Sequence, residues 1–132
     1  RFFKDDAPQT IENFKKLAAE RFYDGLTFHR VVKSPRPFVI QGGCPKGDGT
    51  GGPGYTINAE FNAQPHLEGT VAMARSAHPD SAGSQFYICL APQPFLNGQY
   101  TVFGQVVQGL DVVHMISKDD TMRTVRIEDR TV

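Results

Sequence analysis

Three strand-like stretches set polar side chains among aromatics. In Thr27–Val32, alternation puts Phe28, Arg30 and Val32 on one face and Thr27, His29 and Val31 on the other. An arginine on an apolar face either snorkels to water or aims into a cleft, and the pattern alone leaves both open. Phe38-Val39-Ile40-Gln41 sets Phe38 with Ile40, and Val39 with Gln41, on opposite faces of a regular strand, and Ser84-Gln85-Phe86-Tyr87-Ile88 adds a second strand glutamine beside aromatics. The chemistry open to this set is hydrogen bonding by a guanidinium and two carboxamides in apolar surroundings.

Other motifs carry less. Gly47-Asp48-Gly49-Thr50-Gly51-Gly52 matches the dinucleotide fingerprint letter for letter, yet Pro53, Gly54, Tyr55, Thr56 and Ile57 follow it. That is turn and strand chemistry, without the helix N-terminus that a pyrophosphate needs, so a mobile loop fits better. His78, Asp80, Ser81 and Ser84 crowd together, but Ser84 lacks the glycine pair of a nucleophile elbow. His29, His66, His78 and His114 lack zinc-site spacing and read as surface or core histidines, with no metal or cofactor expected. Cys44 and Cys89 read as buried reduced thiols, which points to the cytoplasm.

The elements that must position these residues are short. One amphipathic helix fits Ala7 to about Arg21, with Ile11, Phe14, Leu17 and Ala18 on one face, Asp6 as cap and Pro8 in the first turn. β-type runs follow at Thr27–Val32, Phe38–Gln41, Thr70–Ala74, Gln85–Leu90 and Tyr100–Val107, bounded by Gly, Pro or Asn. A second helix fits Leu110–Ser117, and a closing strand fits Thr124–Glu128. Many short strands with two helices predict a mostly β chain, a closed or nearly closed barrel with helical plugs. The irregular stretch from Gly42 to Pro65 exceeds the usual loop length and reads as functional or folded over the surface. At 132 residues one domain, 1–132, is expected. Fourteen basic and fourteen acidic side chains give no surplus for phosphate neutralisation, which argues against nucleic acid as partner. No apolar run reaches membrane-spanning length.

On Asp6–Phe14, Phe22–Val32, Phe38–Pro45, Gly69–Ala74, Gly83–Ile88, Phe95–Gly104 and Gly109–Val113, the chain resembles the cyclophilin family of peptidyl-prolyl cis-trans isomerases, in its bacterial branch. Phe28-His29-Arg30 and Gly83-Ser84-Gln85-Phe86 are its most specific segments. The resemblance implies a closed eight-stranded antiparallel barrel capped by two helices, with a shallow proline groove outside. By position Arg30 matches the catalytic arginine, assisted by Gln41. Phe38, Val39, Tyr87 and Leu96 match the pocket wall, Gln85 a polar neighbour, Phe95 and Tyr100 the groove, and the backbone at Ala74 and Arg75 the segment that pairs with substrate. It further implies Xaa-Pro peptides and unfolded or partly folded proteins as partners, in a monomer without cofactor.

Three departures shape the expectations. Lys33-Ser34-Pro35-Arg36-Pro37 replaces a two-residue turn beside Arg30 and Phe38, and either bulges outward or shifts the groove; Arg36 there adds a positive rim, and a shifted groove would leave a proline-peptide binding module without turnover. The chain begins inside the family's second strand, so the first is expected to be missing, leaving an edge that is either open to assembly or covered by another element. Phe95 stands for tryptophan and removes an indole donor, so cyclosporin binding is expected to be weak. Tyr87 stands for phenylalanine, with its hydroxyl expected at the pocket mouth.

Overall fold

The computed structural model describes residues 1–128. The first helix, α1, runs Pro8–Ala19 and buries Ile11, Leu17 and Ala18. Its N-cap is Ala7, not Asp6, and no side chain caps it. The Gln9 and Thr10 amides instead donate to the Glu60 carboxylate at 3.3 and 2.6 Å, while the Asp6 carboxylate accepts from Gln64. A carboxylate there satisfies orphan N–H groups and complements the helix dipole. The long irregular segment supplies it, fifty positions away from Thr10.

Five strands follow among the described residues: β1 Arg30–Val32, β2 Val39–Gly42, β3 Thr70–Met73, β4 Phe86–Cys89 and β5 Val102–Gln105. They pair antiparallel in the order β1-β2-β4-β3-β5. The second helix, α2, is Leu110–Met115 and stops before Ser117, because Ile116 turns extended. All four residues of β4 are buried, since both sheet faces are covered. Phe86 and Ile88 join Ile40, Met73 and Phe103 on the face under α1, where the rings of Phe14, Tyr23 and Phe86 meet at 5.1 to 5.7 Å. Burial of each such side chain contributes about 1.5–3 kcal/mol. Tyr87 and Cys89 join Val39, Ala72 and Val102 on the other face, against which Phe38, Leu96 and Tyr100 pack.

The expected closed eight-stranded ring is not realised as a continuous ladder. The sheet is open, with strands of three or four residues. Short segments nevertheless pair with β5 and with the stretch leading into β1. Residues 1–3 run beside β5 through the Phe2–Gly104 bridge and the Phe3 amide to Phe103 O at 2.9 Å. Residues 119–122 bind 26–28, ahead of β1, through the Thr27–Thr121 bridge. The outer edge of β5 is thus covered by another element of the chain.

The closing strand expected at Thr124–Glu128 does not form either. The Val125 amide donates to Asp24 Oδ1 at 3.0 Å, and Arg126 clamps both Asp24 oxygens at 2.9 and 2.8 Å. The Arg126 bond, then the Val125 amide, hold the Asp24 carboxyl below its ordinary value. A side-chain clamp takes the place of a ladder.

Candidate active site

The sheet register brings the polar set together. Arg30 pairs with Gln41, Gln41 with Tyr87, and Tyr87 with Ala72, one row across four strands. Val39, two residues from Gln41, shares its face. Phe28 does not share the face of Arg30: it lies in the core under α1, because regular pairing of β1 begins only at Arg30. Phe38 likewise precedes β2 and escapes alternation, so it packs with Val39 and not with Ile40.

The five-residue turn leaves this register intact. Residues 33–37 are exposed, and the Phe38 amide closes them off by donating to Val32 O at 2.9 Å. Val32 still faces Val39. The turn bulges outward and does not shift the strands on either side of it. Arg36 lines neither pocket described below. Arg36→Ala is therefore expected to leave the backbone amide shifts of Arg30, Phe38 and Gln41 in place, as a two-dimensional NMR spectrum of the variant would show.

Arg30, Phe38, Val39, Gln41, Ala74, Arg75, Tyr87, Leu96 and Tyr100 line one pocket of about 110 Å³. Gln85 lines an adjoining groove of about 480 Å³, which shares Gln41, Ala74 and Arg75 with the pocket. Phe95 stands outside both as a rim, 62 % exposed and stacked on Phe38 at 6.0 Å.

A hydrogen-bond chain orients the arginine. Arg30 Nη1 donates to Gln41 Oε1 at 3.2 Å, and Gln41 Nε2 donates to Gln85 Oε1 at 3.0 Å. Gln85 Nε2 donates to the carbonyls of Gly49 and Gly51, both at 2.9 Å. A guanidinium can only donate and a carbonyl can only accept, so both carboxamides have one permitted orientation. The glycine loop with the dinucleotide-like letters ends this relay. No helix follows it. Arg30 also lies over the Phe38 ring at 5.7 Å, which further restricts the guanidinium.

Arg75 holds the opposite rim. Its Cζ sits 4.6 Å over the Tyr100 ring, and Nε and Nη2 donate to Gln99 O at 3.2 and 2.8 Å. Tyr100 in turn presses edge-on against Tyr87 at 5.8 Å. The Ala74 amide donates to Gln85 O at 3.0 Å, fixing the backbone where it leaves β3.

The hydroxyl of Tyr87 is not at the pocket mouth. It points behind the wall, 2.7 Å from Nε2 of His66, and Nδ1 of His66 lies 3.1 Å from Asn97 Oδ1. His66 is 1 % exposed, and its burial lowers the imidazole below its ordinary value. Burial likewise pushes the Tyr87 phenol up. Of the two readings the sequence leaves for His66, surface or core, the structure takes the second, and Asn97 carries no signal of its own. The available signal was Tyr87 itself, since a buried phenol needs a partner.

The remaining polar residues have structural work. The Ser84 hydroxyl is buried and donates to Gly43 O at 2.7 Å, while Ser81 and Asp80 bind His78 within a local turn. Cys44 and Cys89 are free and buried. Burial raises the Cys44 thiol, but backbone N–H groups, that of Gly51 at 3.2 Å foremost, bring it below its ordinary value. Among the described residues no group of three or more His, Cys, Asp or Glu could hold a metal, and no helix is long and apolar enough to cross a membrane.

Comparison with known proteins converges on one description. The family model for cyclophilin type peptidyl-prolyl cis-trans isomerase/CLD matches residues 1–132. Peptidyl-prolyl cis-trans isomerase B of Bacillus subtilis is 53% identical over 128 residues, covering 96% of this chain and 87% of its own. A peptidyl-prolyl cis-trans isomerase of Synechococcus elongatus is 50% identical over 129 residues, covering 96% and 86%. A crystal structure of a cyclophilin type isomerase of Cryptosporidium parvum, determined in the presence of the dipeptide Ala-Pro, superposes with a TM-score of 0.81 at 32% identity, covering 88% of this chain and 75% of that one.

Proposed function

The chain belongs to the cyclophilin-type peptidyl-prolyl cis-trans isomerases, and on that footing we propose that it turns Xaa-Pro bonds over by donation from Arg30 to the prolyl nitrogen, in the pocket bounded by Phe38, Val39, Tyr87 and Leu96. The observation that carries this reading is the juxtaposition of a tethered guanidinium with the Phe38, Val39, Tyr87 and Leu96 walls of one pocket of about 110 Å³.

The reaction asks little covalent chemistry of a protein. Rotation about the amide removes its resonance, at a barrier of about 18–20 kcal/mol, and uncatalysed exchange takes tens to hundreds of seconds. About a thousand turnovers per second requires lowering the barrier by roughly 7 kcal/mol, at about 1.36 kcal/mol per tenfold. In the twisted state the prolyl nitrogen recovers the lone pair that resonance had withdrawn. A donor aimed at that nitrogen binds the twisted state better than either planar state, which is the condition for catalysis. Arg30 has five N–H donors, one of them given to Gln41, so the tether and the donation are compatible. One preorganised donor contributes about 3–4 kcal/mol. The apolar wall holds the pyrrolidine still while the flanking chain turns and disfavours the dipolar planar amide.

Gln41 positions the guanidinium, and Gln85 positions Gln41. Gln85, Ala74 and Arg75 bound the adjoining groove, suited to the peptide on one side of the proline. Phe95 borders the pocket beside Phe38, and Tyr100 lines it beneath Arg75. The substrates in this reading are proline-containing peptides and proteins still folding, met by a monomer. The free cysteines suit a reducing compartment such as the cytoplasm.

Titrating a short Xaa-Pro peptide into isotope-labelled protein tests the site. The expected result is amide shift changes concentrated at Arg30, Gln41, Ala74, Tyr87 and Leu96. Changes confined to the α2 face would overturn the placement.

A further inference from the structure

We infer that His66 is a positioning residue of the proline pocket, holding two of its walls from behind without touching substrate. This rests on the reading of the pocket given above.

His66 belongs to the irregular segment before β3 and lines neither pocket nor groove. Three bonds fix it to the segment around the 3-10 turn Pro94–Leu96. Its amide donates to Asn97 Oδ1 at 2.8 Å, its carbonyl accepts from the Gln93 amide at 2.9 Å, and its Nδ1 meets the same Asn97 oxygen at 3.1 Å. Asn97 directly follows Leu96, a wall of the pocket. On the other side Nε2 meets the Tyr87 hydroxyl at 2.7 Å, and Tyr87 is the facing wall.

The polarity of this bridge has one solution. An amide oxygen only accepts, so Nδ1 carries the proton. Burial keeps the imidazole neutral, which leaves Nε2 as acceptor for the Tyr87 O–H. One imidazole thus ties β4 to the 94–97 segment, and the Tyr87 ring has His66, nearly parallel to it at 13°, on one side and Tyr100, edge-on at 86°, on another. A phenylalanine at 87 would need no such partner. Small misplacements of groups around a reacting centre cost large factors in rate, so a support behind two walls matters beyond stability.

The test is a double-mutant cycle. kcat/KM on an uncharged Xaa-Pro tetrapeptide and the thermal midpoint are measured for wild type, His66→Leu, Tyr87→Phe and the pair. Removing one partner of a buried hydrogen bond strands the other, whereas removing both is close to neutral. His66→Leu is therefore expected to lose about tenfold in kcat/KM, and Tyr87→Phe in that background to restore at least threefold of it. Losses that simply multiply, or a fully active His66→Leu with only a lowered midpoint, would reduce His66 to core filler and overturn the proposal. If His66→Leu does not fold, Asn97→Ala decides at an exposed position: a loss of about threefold with the fold intact supports the positioning role, and unchanged kcat/KM overturns it. A wild type without isomerase activity would overturn the underlying reading instead, and is seen before any variant is compared.

Discussion

Arg30→Ala is expected to lower kcat/KM for an Xaa-Pro tetrapeptide by about 10²–10³, corresponding to the roughly 3–4 kcal/mol contributed by one preorganised donor. The thermal midpoint should move little. Arg30 is exposed, and the groups it leaves, Gln41 Oε1 and the Phe38 face, lie at the pocket where water can reach them. Activity above the uncatalysed rate should persist, because Phe38, Val39, Tyr87 and Leu96 still enclose the ring. Arg30→Lys should recover only part of the loss. An ammonium keeps the charge but not the planar fork that bonds Gln41, lies on Phe38 and retains donors for substrate. The check is a protease-coupled assay at several enzyme concentrations. An alanine variant within threefold of wild type would remove Arg30 from the mechanism.

Gly43→Ala is expected to cost about 3 kcal/mol or more in stability, enough to leave much of the protein unfolded at 37 °C. Gly43 has φ +91, a conformation that L side chains rarely adopt, and a Cβ there would sit 2.6 Å from Ser84 O and 3.0 Å from the Tyr23 ring. None of those neighbours can give way cheaply. Ser84 O accepts the Tyr23 hydroxyl at 2.8 Å, and the Ser84 hydroxyl donates to Gly43 O, so the contact is backbone locked by two buried bonds. Tyr23 is itself fully buried among the rings under α1. The strain would spread through the end of β2 into Gln41, so residual folded protein should also lose activity. Gly52→Ala is the control, since a Cβ there meets nothing within 4 Å. Urea unfolding followed by far-UV circular dichroism measures both, and a Gly43→Ala midpoint close to that of wild type would contradict the packing described.

Local sequence carried a good part of this arrangement. Alternation placed Val39 with Gln41, and short β-type runs marked all five strands, because side-chain direction follows from a two-residue period. Register is different. Nothing local says that Arg30 faces Gln41 and Gln41 faces Tyr87, yet that row builds the site. Alternation also misled at Phe28 and Phe38, which stand just outside the paired residues where the period no longer holds. The α1 start is satisfied by Glu60 from a distant segment, so the local choice of Asp6 failed for lack of tertiary information. The partners of His66 stayed hidden for a related reason. Its neighbours in sequence are Pro65 and Leu67, while its chemistry lies with Tyr87 and Asn97.

Two-dimensional exchange NMR on an Xaa-Pro peptide, with catalytic amounts of wild type and of Arg30→Ala, tests the central claim most directly when the peptide dissociation constant is determined in the same samples. Donation to the prolyl nitrogen in the twisted state predicts cis–trans cross-peaks that build rapidly with wild type and about a hundredfold more slowly with the variant, while peptide binding weakens only a few fold. Equal exchange rates for the two proteins, or a loss of rate matched by an equal loss of binding, would contradict it.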